Sequence, residues 1–144
     1  MATGFFNKLP EVAEAFGQIA QQIVEDTAFS VQEKAEQNCP VDTGFLRDTI
    51  YTKTFASSNY RGGGRVTKSA KQSGQYTLPE VQQPPNQYTA YVAVGASYGV
   101  FVEFGTSRAP AQPFFFPAIE ASSDAFEQAA GDLEAQIKQK AGIN

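Results

Sequence analysis

The sequence predicts an α+β domain in which a long N-terminal helix and a C-terminal helix pack on a small, mainly antiparallel β-sheet with a long flexible loop. Residues 10–37 and 117–140 repeat apolar side chains at spacings of three and four, as amphipathic helices do. Residues 88–95 alternate in the manner of a strand. Residues 56–87 contain few apolar side chains, so we expect the 144 residues to form a single domain with one long loop.

The first helix is predicted from one apolar stripe and two prolines. Pro10 suits the first turn, where no backbone donor is missed, and Pro40 disfavours helical geometry in the residue before it. At about 1.5 Å per residue, residues 10–37 form a rod of about 42 Å. Either this rod crosses the whole sheet or part of its stripe meets another subunit. The stripe consists of Leu9, Val12, Phe16, Ile19, Ile23, Thr27 and Val31.

A turn and a strand are expected after the first helix. Asp42 is a good cap for the turn at residues 42–44, because its carboxylate can accept backbone amides two and three residues later. A short helical turn and a strand over about residues 50–55 follow. Residues 56–87, rich in Gly, Ser, Gln and Pro, are predicted to form a flexible loop or a β-hairpin arm.

The last third of the chain contains a strand, an ambiguous element and a helix. The strand at residues 88–95 carries apolar groups on both faces, so we expect it to be central or covered on both sides. Residues 100–104 form a short apolar run, and periodicity does not decide between helix and strand. In the final helix Lys138 and Lys140 lie at the C-terminal end, where the helix dipole favours positive charge.

Composition argues against several kinds of site. The chain has no His, the commonest general base and metal ligand, and no acidic or thiol cluster suggests a metal, so we expect no cofactor and no enzymatic activity. Its single cysteine, Cys39, cannot form an internal disulfide, which favours assembly in the cytoplasm. We expect neither a signal peptide nor a membrane-spanning segment.

The charge is unevenly distributed along the chain. The formal net charge is −4, yet residues 53–87 carry five basic side chains against Glu80. The remainder of the chain is therefore strongly acidic. Such an asymmetry favours contact of the basic loop with an acidic partner or with nucleic acid.

Three motifs resemble a known family. Residues 40–50 read PVDTGFLRDTI, residues 98–106 read YGVFVEFGT, and residues 113–119 read PFFFPAI. In this order, between two long helical segments, they are similar to the minor tail components of tailed bacteriophages, also called tail-completion, head–tail joining or neck proteins. The resemblance covers about residues 10–140 apart from the middle loop.

The resemblance implies a small structural virion protein, assembled in the host cytoplasm and acting at the head-proximal end of a long tail or at the neck. It implies a ring, expected to be hexameric. The implied partners are further copies of the chain, the tail tube or tail terminator, and head connector proteins, with possible non-specific contact to DNA in the channel and none to a membrane.

Two sets of residues are assigned from motif position. The scaffold set is Asp42, Gly44, Leu46, Arg47, Glu103 and Gly105. The interface set is Arg61, Arg65, Lys68, Lys71, Thr106, Arg108, Phe114, Phe115 and Phe116.

The tripeptide at residues 42–44, Asp-Thr-Gly, also occurs around the catalytic aspartate of aspartic proteases. That chemistry needs two carboxylates sharing a proton, so one copy would require a homodimer. Here the tripeptide follows a helix end and precedes the bulky Phe45, which favours a turn capped by Asp42. A dimeric protease is the alternative that we rank last.

The run RGGGR at residues 61–65 lacks the Gly-Lys-Ser/Thr ending and the following helix of a nucleotide-binding loop. The plain interpretation is a flexible basic loop. A second is a nucleic-acid-binding module that contacts phosphates without reading bases. A third is docking on the acidic remainder of an adjacent copy.

Arg47 and Glu103 are charges embedded in the first two motifs. One hypothesis is a partly buried ion pair, since an arginine fork can meet a carboxylate at two points. The alternative is two separate surface charges. Additive stability losses in the Arg47→Ala and Glu103→Ala variants would argue against the pair.

Phe114, Phe115 and Phe116 lie between two prolines and cannot all point into one small core. One interpretation places one or two of the rings in the core, with the third incidental. The interpretation we favour makes at least one of them an aromatic anchor at a subunit interface. The flanking prolines stiffen the segment and lower the ordering cost of binding.

Overall fold

The computed structural model describes residues 8–40, 44–61 and 77–142. The elements in chain order are α1 (Leu9–Asn38), α2 (Phe45–Asp48), β1 (Ile50–Lys53), β2 (Tyr91–Val94), α3 (Gly99–Phe104), α4 (Phe116–Gly131) and α5 (Leu133–Ala141). The predicted α+β class, with long helices at both ends and a small antiparallel sheet, is confirmed.

Helix α1 is the longest element, with 30 residues, and it contacts both strands, α4 and α5. It has Pro10 in its first turn and ends before Pro40, as predicted. Its buried side chains are mostly small: Ala15, Ala28, Val31 and Ala35. Small side chains let neighbouring elements approach the helix closely. The predicted stripe is only partly covered, because Leu9 and Phe16 near the start are exposed.

The short α2 and strand β1 are joined to the second strand through Thr49. Gly44 precedes α2 with a φ of 79°, a left-handed conformation that favours glycine. The Thr49 hydroxyl donates to the Leu46 carbonyl at 2.8 Å and accepts from the Ala96 amide at 2.9 Å. The Gly95 amide donates to the Thr49 carbonyl at 2.8 Å. These bonds align the start of β1 with the end of β2.

Strands β1 and β2 pair antiparallel, with Ile50 opposite Val94 and Lys53 opposite Tyr91. β2 is shorter than the predicted strand at residues 88–95, because Tyr88 to Ala90 lie outside the ladder. In the part of the chain that the structure describes, its only ladder partner is β1, so of the two expected arrangements, central or covered on both sides, the central one is not observed there.

The two ends of the predicted loop at residues 56–87 pack against the sheet. The Val81 amide donates to the Tyr51 hydroxyl at 2.9 Å, and Lys53 Nζ donates to the Val81 carbonyl at 2.9 Å. Pro84 is fully buried. Residues 62–76, the middle of the predicted loop or β-hairpin arm at residues 56–87, lie outside the described residues.

The core lies where the second half of α1 meets α2, the sheet and the start of α4. Its buried members are Val31, Ala35, Cys39, Phe45, Leu46, Ile50, Ala96, Phe114 and Ala118. The single helix predicted at residues 117–140 is instead two helices that meet at Asp132. Gly131 and Asp132 are both poor helix formers, which explains the break.

We predict that Gly99→Ala destabilises the protein by about 1–3 kcal/mol, the usual cost of overpacking a core. Gly99 is buried, and an added Cβ would lie 2.7 Å from Val94 Cγ1 and 3.4 Å from Leu46 Cδ1. Gly131→Ala is the matched control, since no atom lies within 4 Å of its added Cβ. Urea unfolding of both variants measures the difference. Equal stabilities would contradict close packing at Gly99.

Cys39 is predicted to be unreactive in the folded protein. Burial raises the pKa of its thiol to about 11, with Arg47 lowering that pKa and Glu36 raising it by smaller amounts. At pH 8 a thiol of this pKa is ionised in about one molecule in a thousand, against about a quarter for a free cysteine. We expect a disulfide reagent to label native protein at least about 100-fold more slowly than unfolded protein. Similar rates in both states would contradict the buried position.

Candidate assembly surface

Helix α3 separates its residues into a buried face and an exposed face. Gly99 and Glu103 are buried, whereas Val100, Phe101 and Phe104 are exposed, Phe104 to 64%. Residues three and four apart are neighbours on a helix surface, so Phe104 lies beside both Phe101 and Val100, and the three apolar side chains form one surface. The ambiguous run at residues 100–104 is therefore a helix that presents apolar side chains to solvent.

Glu103 connects α3 to the start of α4. Its side chain is 7% exposed. Oε1 accepts the amides of Phe114 at 3.0 Å and Phe115 at 2.8 Å, and Oε2 accepts the amide of Phe116 at 3.3 Å. Pro117, the second residue of α4, has no amide hydrogen to satisfy. The carboxylate thus caps a helix whose own N-cap residue, Phe115, makes no side-chain cap.

The charge of Glu103 also suits its position. The N-terminus of a helix carries partial positive charge from amides that lack intrahelical partners. A carboxylate there gains both hydrogen bonds and a favourable interaction with the dipole. The hydrogen bonds and the dipole interaction offset the free-energy cost of burying the Glu103 carboxylate. No basic side chain of the described residues takes part in them.

The hypothesis of an ion pair between Arg47 and Glu103 is wrong in this structure. Arg47 Nε lies 3.6 Å from Asp48 Oδ1, and the Arg47 side chain is largely exposed. Within the described ranges Glu103 forms no ion pair and bonds backbone amides instead. Backbone groups leave no side-chain signature, so the sequence did not reveal these partners.

The segment at residues 105–113 is held at both ends. Gly105 has a φ of 79° and a ψ of 175°, a conformation essentially restricted to glycine, and an added Cβ would lie 2.6 Å from the Ala111 nitrogen. The Gln112 amide donates to the Val102 carbonyl at 2.8 Å. Between them Thr106 Oγ1 accepts the amides of Arg108 and Ala109. The Thr106 hydroxyl therefore shapes the turn, and the Arg108 side chain is exposed.

The three consecutive phenylalanines have three different environments. Phe114 lies in the core instead of at the predicted interface, and Phe115 is half-buried against that core. Phe116 is 51% exposed, with its ring centroid 5.8 Å from that of Phe104. We call Val100, Phe101, Phe104 and Phe116 the aromatic patch. Of these four, only Phe116 belongs to the predicted interface set.

An apolar groove lies between α1 and α4. Its volume is about 380 Å³. The segment at residues 88–92 forms its third wall. Side chains that line this apolar groove include Val24, Ala28, Tyr88, Val92, Ile119 and Phe126. The groove was not predicted, because its walls come from three separated parts of the chain.

The remaining predicted residues lie elsewhere or outside the described ranges. Leu46 is in the core, and Arg61 is exposed beside a polar pocket that Arg47 and Glu36 also line. The residues outside the described ranges are Asp42, Arg65, Lys68 and Lys71.

The described residues show neither a metal-ligand cluster nor a membrane-spanning helix. Over residues 8–40, 44–61 and 77–142, no three acidic or cysteine side chains come together as metal ligands could. In those same ranges no helix is both long and apolar enough to span a bilayer.

Residues 4–105 match the model of a family described as "Bacteriophage HK97-gp10, putative tail-component". The match covers more than half of the chain. The chain belongs to this phage tail-component family. No curated protein and no solved structure matches it. The resemblance to tail components is therefore confirmed, and a tail component is part of the virion.

The family match ends at Gly105 and so divides the aromatic patch. Val100, Phe101 and Phe104 lie inside the matched region, and Phe116 lies beyond it. Glu103, inside the region, holds the first residues of α4 outside it. Membership of a tail-component family favours a structural role for this surface over catalysis.

We predict that Glu103→Ala lowers the free energy of unfolding by about 2–4 kcal/mol, because it leaves buried amides without an acceptor. Glu103→Gln keeps one acceptor oxygen and should lose about half as much. Glu120→Ala, at an exposed position on α4, should change stability by less than about 0.5 kcal/mol. Chemical denaturation measures the three values.

Hydrogen exchange separates the cap from a general loss of stability. In Glu103→Ala the amides of Phe114, Phe115 and Phe116 should exchange at least about tenfold faster than in wild type, beyond the change in core amides. Equal effects of Glu103→Ala and Glu120→Ala would contradict the capping role.

Proposed function

We propose that this tail component completes the head-proximal end of a phage tail, or joins that end to the head at the neck, as a subunit of a hexameric ring. The aromatic patch is the observation that carries the proposal. Large contiguous apolar patches on soluble proteins commonly mark interaction sites. Aromatic side chains are also enriched in the cores of protein interfaces.

The aromatic patch is held in place before any partner arrives. Glu103 fixes α3 to α4, and the Gln112 bond to Val102 fixes the intervening segment. A surface that is already ordered loses little conformational entropy on binding. Such rigidity suits a subunit that must meet repeated neighbours in one geometry.

The proposed partners follow from this location. They are further copies of the chain, the tail tube or tail terminator on one side and head connector proteins on the other, with assembly in the host cytoplasm. Contact with DNA in the channel depends largely on residues 62–76 and stays a prediction.

Electron microscopy of particles made with and without this protein tests the proposal. We expect free full heads beside unattached tails when the protein is missing. Tails of normal length would indicate joining, and overlong tails would indicate completion. Normal infectious particles would overturn the structural role.

A patch variant makes the test specific to the surface. Phe104→Ser should reproduce the defect of the missing protein, since loss of a hot-spot side chain costs at least about 2 kcal/mol, or about 30-fold in affinity. Phe55→Ser is the matched control, because Phe55 is 48% exposed but lies outside the aromatic patch. Equal infectivity of the two variants would contradict a role for the patch.

A further inference from the structure

We propose that the aromatic patch of one copy seats in the apolar groove of the next copy around the ring. This inference rests on the proposed ring and names its subunit contact. The two surfaces are different, so their contact is heterologous, and repeated heterologous contacts generate a ring when the rotation closes.

The two surfaces are both apolar. The aromatic patch is carried by the exposed face of α3 and by Phe116, and the exposed residues 106–113 connect the two in sequence. The apolar groove is a recess of about 380 Å³ with aliphatic and aromatic walls. An exposed aromatic side chain entering an apolar recess is the usual form of an interface hot spot.

Charge complementarity identifies a second copy as the occupant. Arg108, in the segment that joins α3 to α4, is exposed and has no ion pair among the residues that the structure describes. Helix α4, one wall of the groove, carries acidic and no basic side chains. Its exposed acids Glu120, Asp124 and Glu127 likewise form no ion pair within the described chain.

The positions of two of these acids place them at the rim of the groove. Glu120 follows Ile119 and Glu127 follows Phe126, so each lies about 100° around the helix from a groove side chain. Ala118, on the other side of Ile119, is buried in the core. Glu120 and Glu127 are therefore on the solvent side of the groove. A neighbour inserting its aromatic patch brings Arg108 towards this acidic rim.

Cysteine cross-linking between differently tagged copies tests the contact. Val100→Cys, at a side chain 54% exposed, marks the patch without removing a ring, and Tyr88→Cys, at a side chain 44% exposed, marks the groove. Both variants are incorporated together into tails and oxidised. We expect a cross-linked dimer containing one of each tag. Phe55→Cys in place of Tyr88→Cys is the control and should give none, and buried Cys39 should not react.

Other cross-linking results overturn the inference. A dimer of Val100→Cys with itself would show a twofold patch-to-patch contact. A product of Val100→Cys with a different tail protein would assign the patch to that protein. Absence of the mixed dimer from tails that contain both variants would also reject the contact.

Charge reversal gives an independent measurement. Arg108→Glu should lower the yield of the mixed dimer at least about tenfold, and Glu127→Arg in the acceptor copy should restore most of it. Arg61→Glu, which reverses an exposed charge far from the patch in sequence, should leave the yield unchanged. If neither Glu127→Arg nor Glu120→Arg restores the yield of the mixed dimer, the charge argument is wrong.

Failure of the inference is distinguishable from failure of the proposed function. Labelling of the tagged protein in micrographs shows whether it is present at the tail end. A labelled tail end without the mixed dimer rejects the patch-to-groove contact alone. Absence of label from the tail end rejects the proposed function itself.

Discussion

The carboxylate of Glu103 is the contact on which the surface of this tail component depends. It is buried at the N-terminus of α4, where it accepts three successive backbone amides. A neutral side chain could satisfy some of these donors but would lack the interaction with the helix dipole. Through this one group, the position of α3 determines where α4 begins.

The same arrangement explains why apolar side chains are exposed on a stable domain. The fully buried positions of α3 are Gly99 and Glu103, and Val102 packs partly buried against the core, so the inner face of the helix is already filled. Gly99 permits close contact with Val94, and Glu103 uses the remaining space for the cap. Burial of small or polar groups thus leaves Phe101 and Phe104 in solvent. Stability of the monomer and exposure of the aromatic patch have one structural cause.

The sequence predicted the parts of the fold that depend on local pattern. Spacing and prolines located α1, and alternation located β2 to within a few residues. Spacing could not identify α3, since six residues are too few to distinguish helix from strand. It also could not show that Glu103 bonds amides 11 to 13 residues away, because every residue carries the same backbone donor. The sequence could not predict the apolar groove either, because its walls come from three distant segments that meet only in the folded protein.

Glu103 bonds residues that follow it in the chain, so the order of synthesis decides when the aromatic patch can form. A ribosome produces α3 before residues 114–116, so a nascent chain that ends near Gly105 has neither the partners of Glu103 nor the ring of Phe116. Its α3 then lacks the hydrogen bonds that connect it to α4. The complete aromatic patch appears only after translation has passed the first turn of α4.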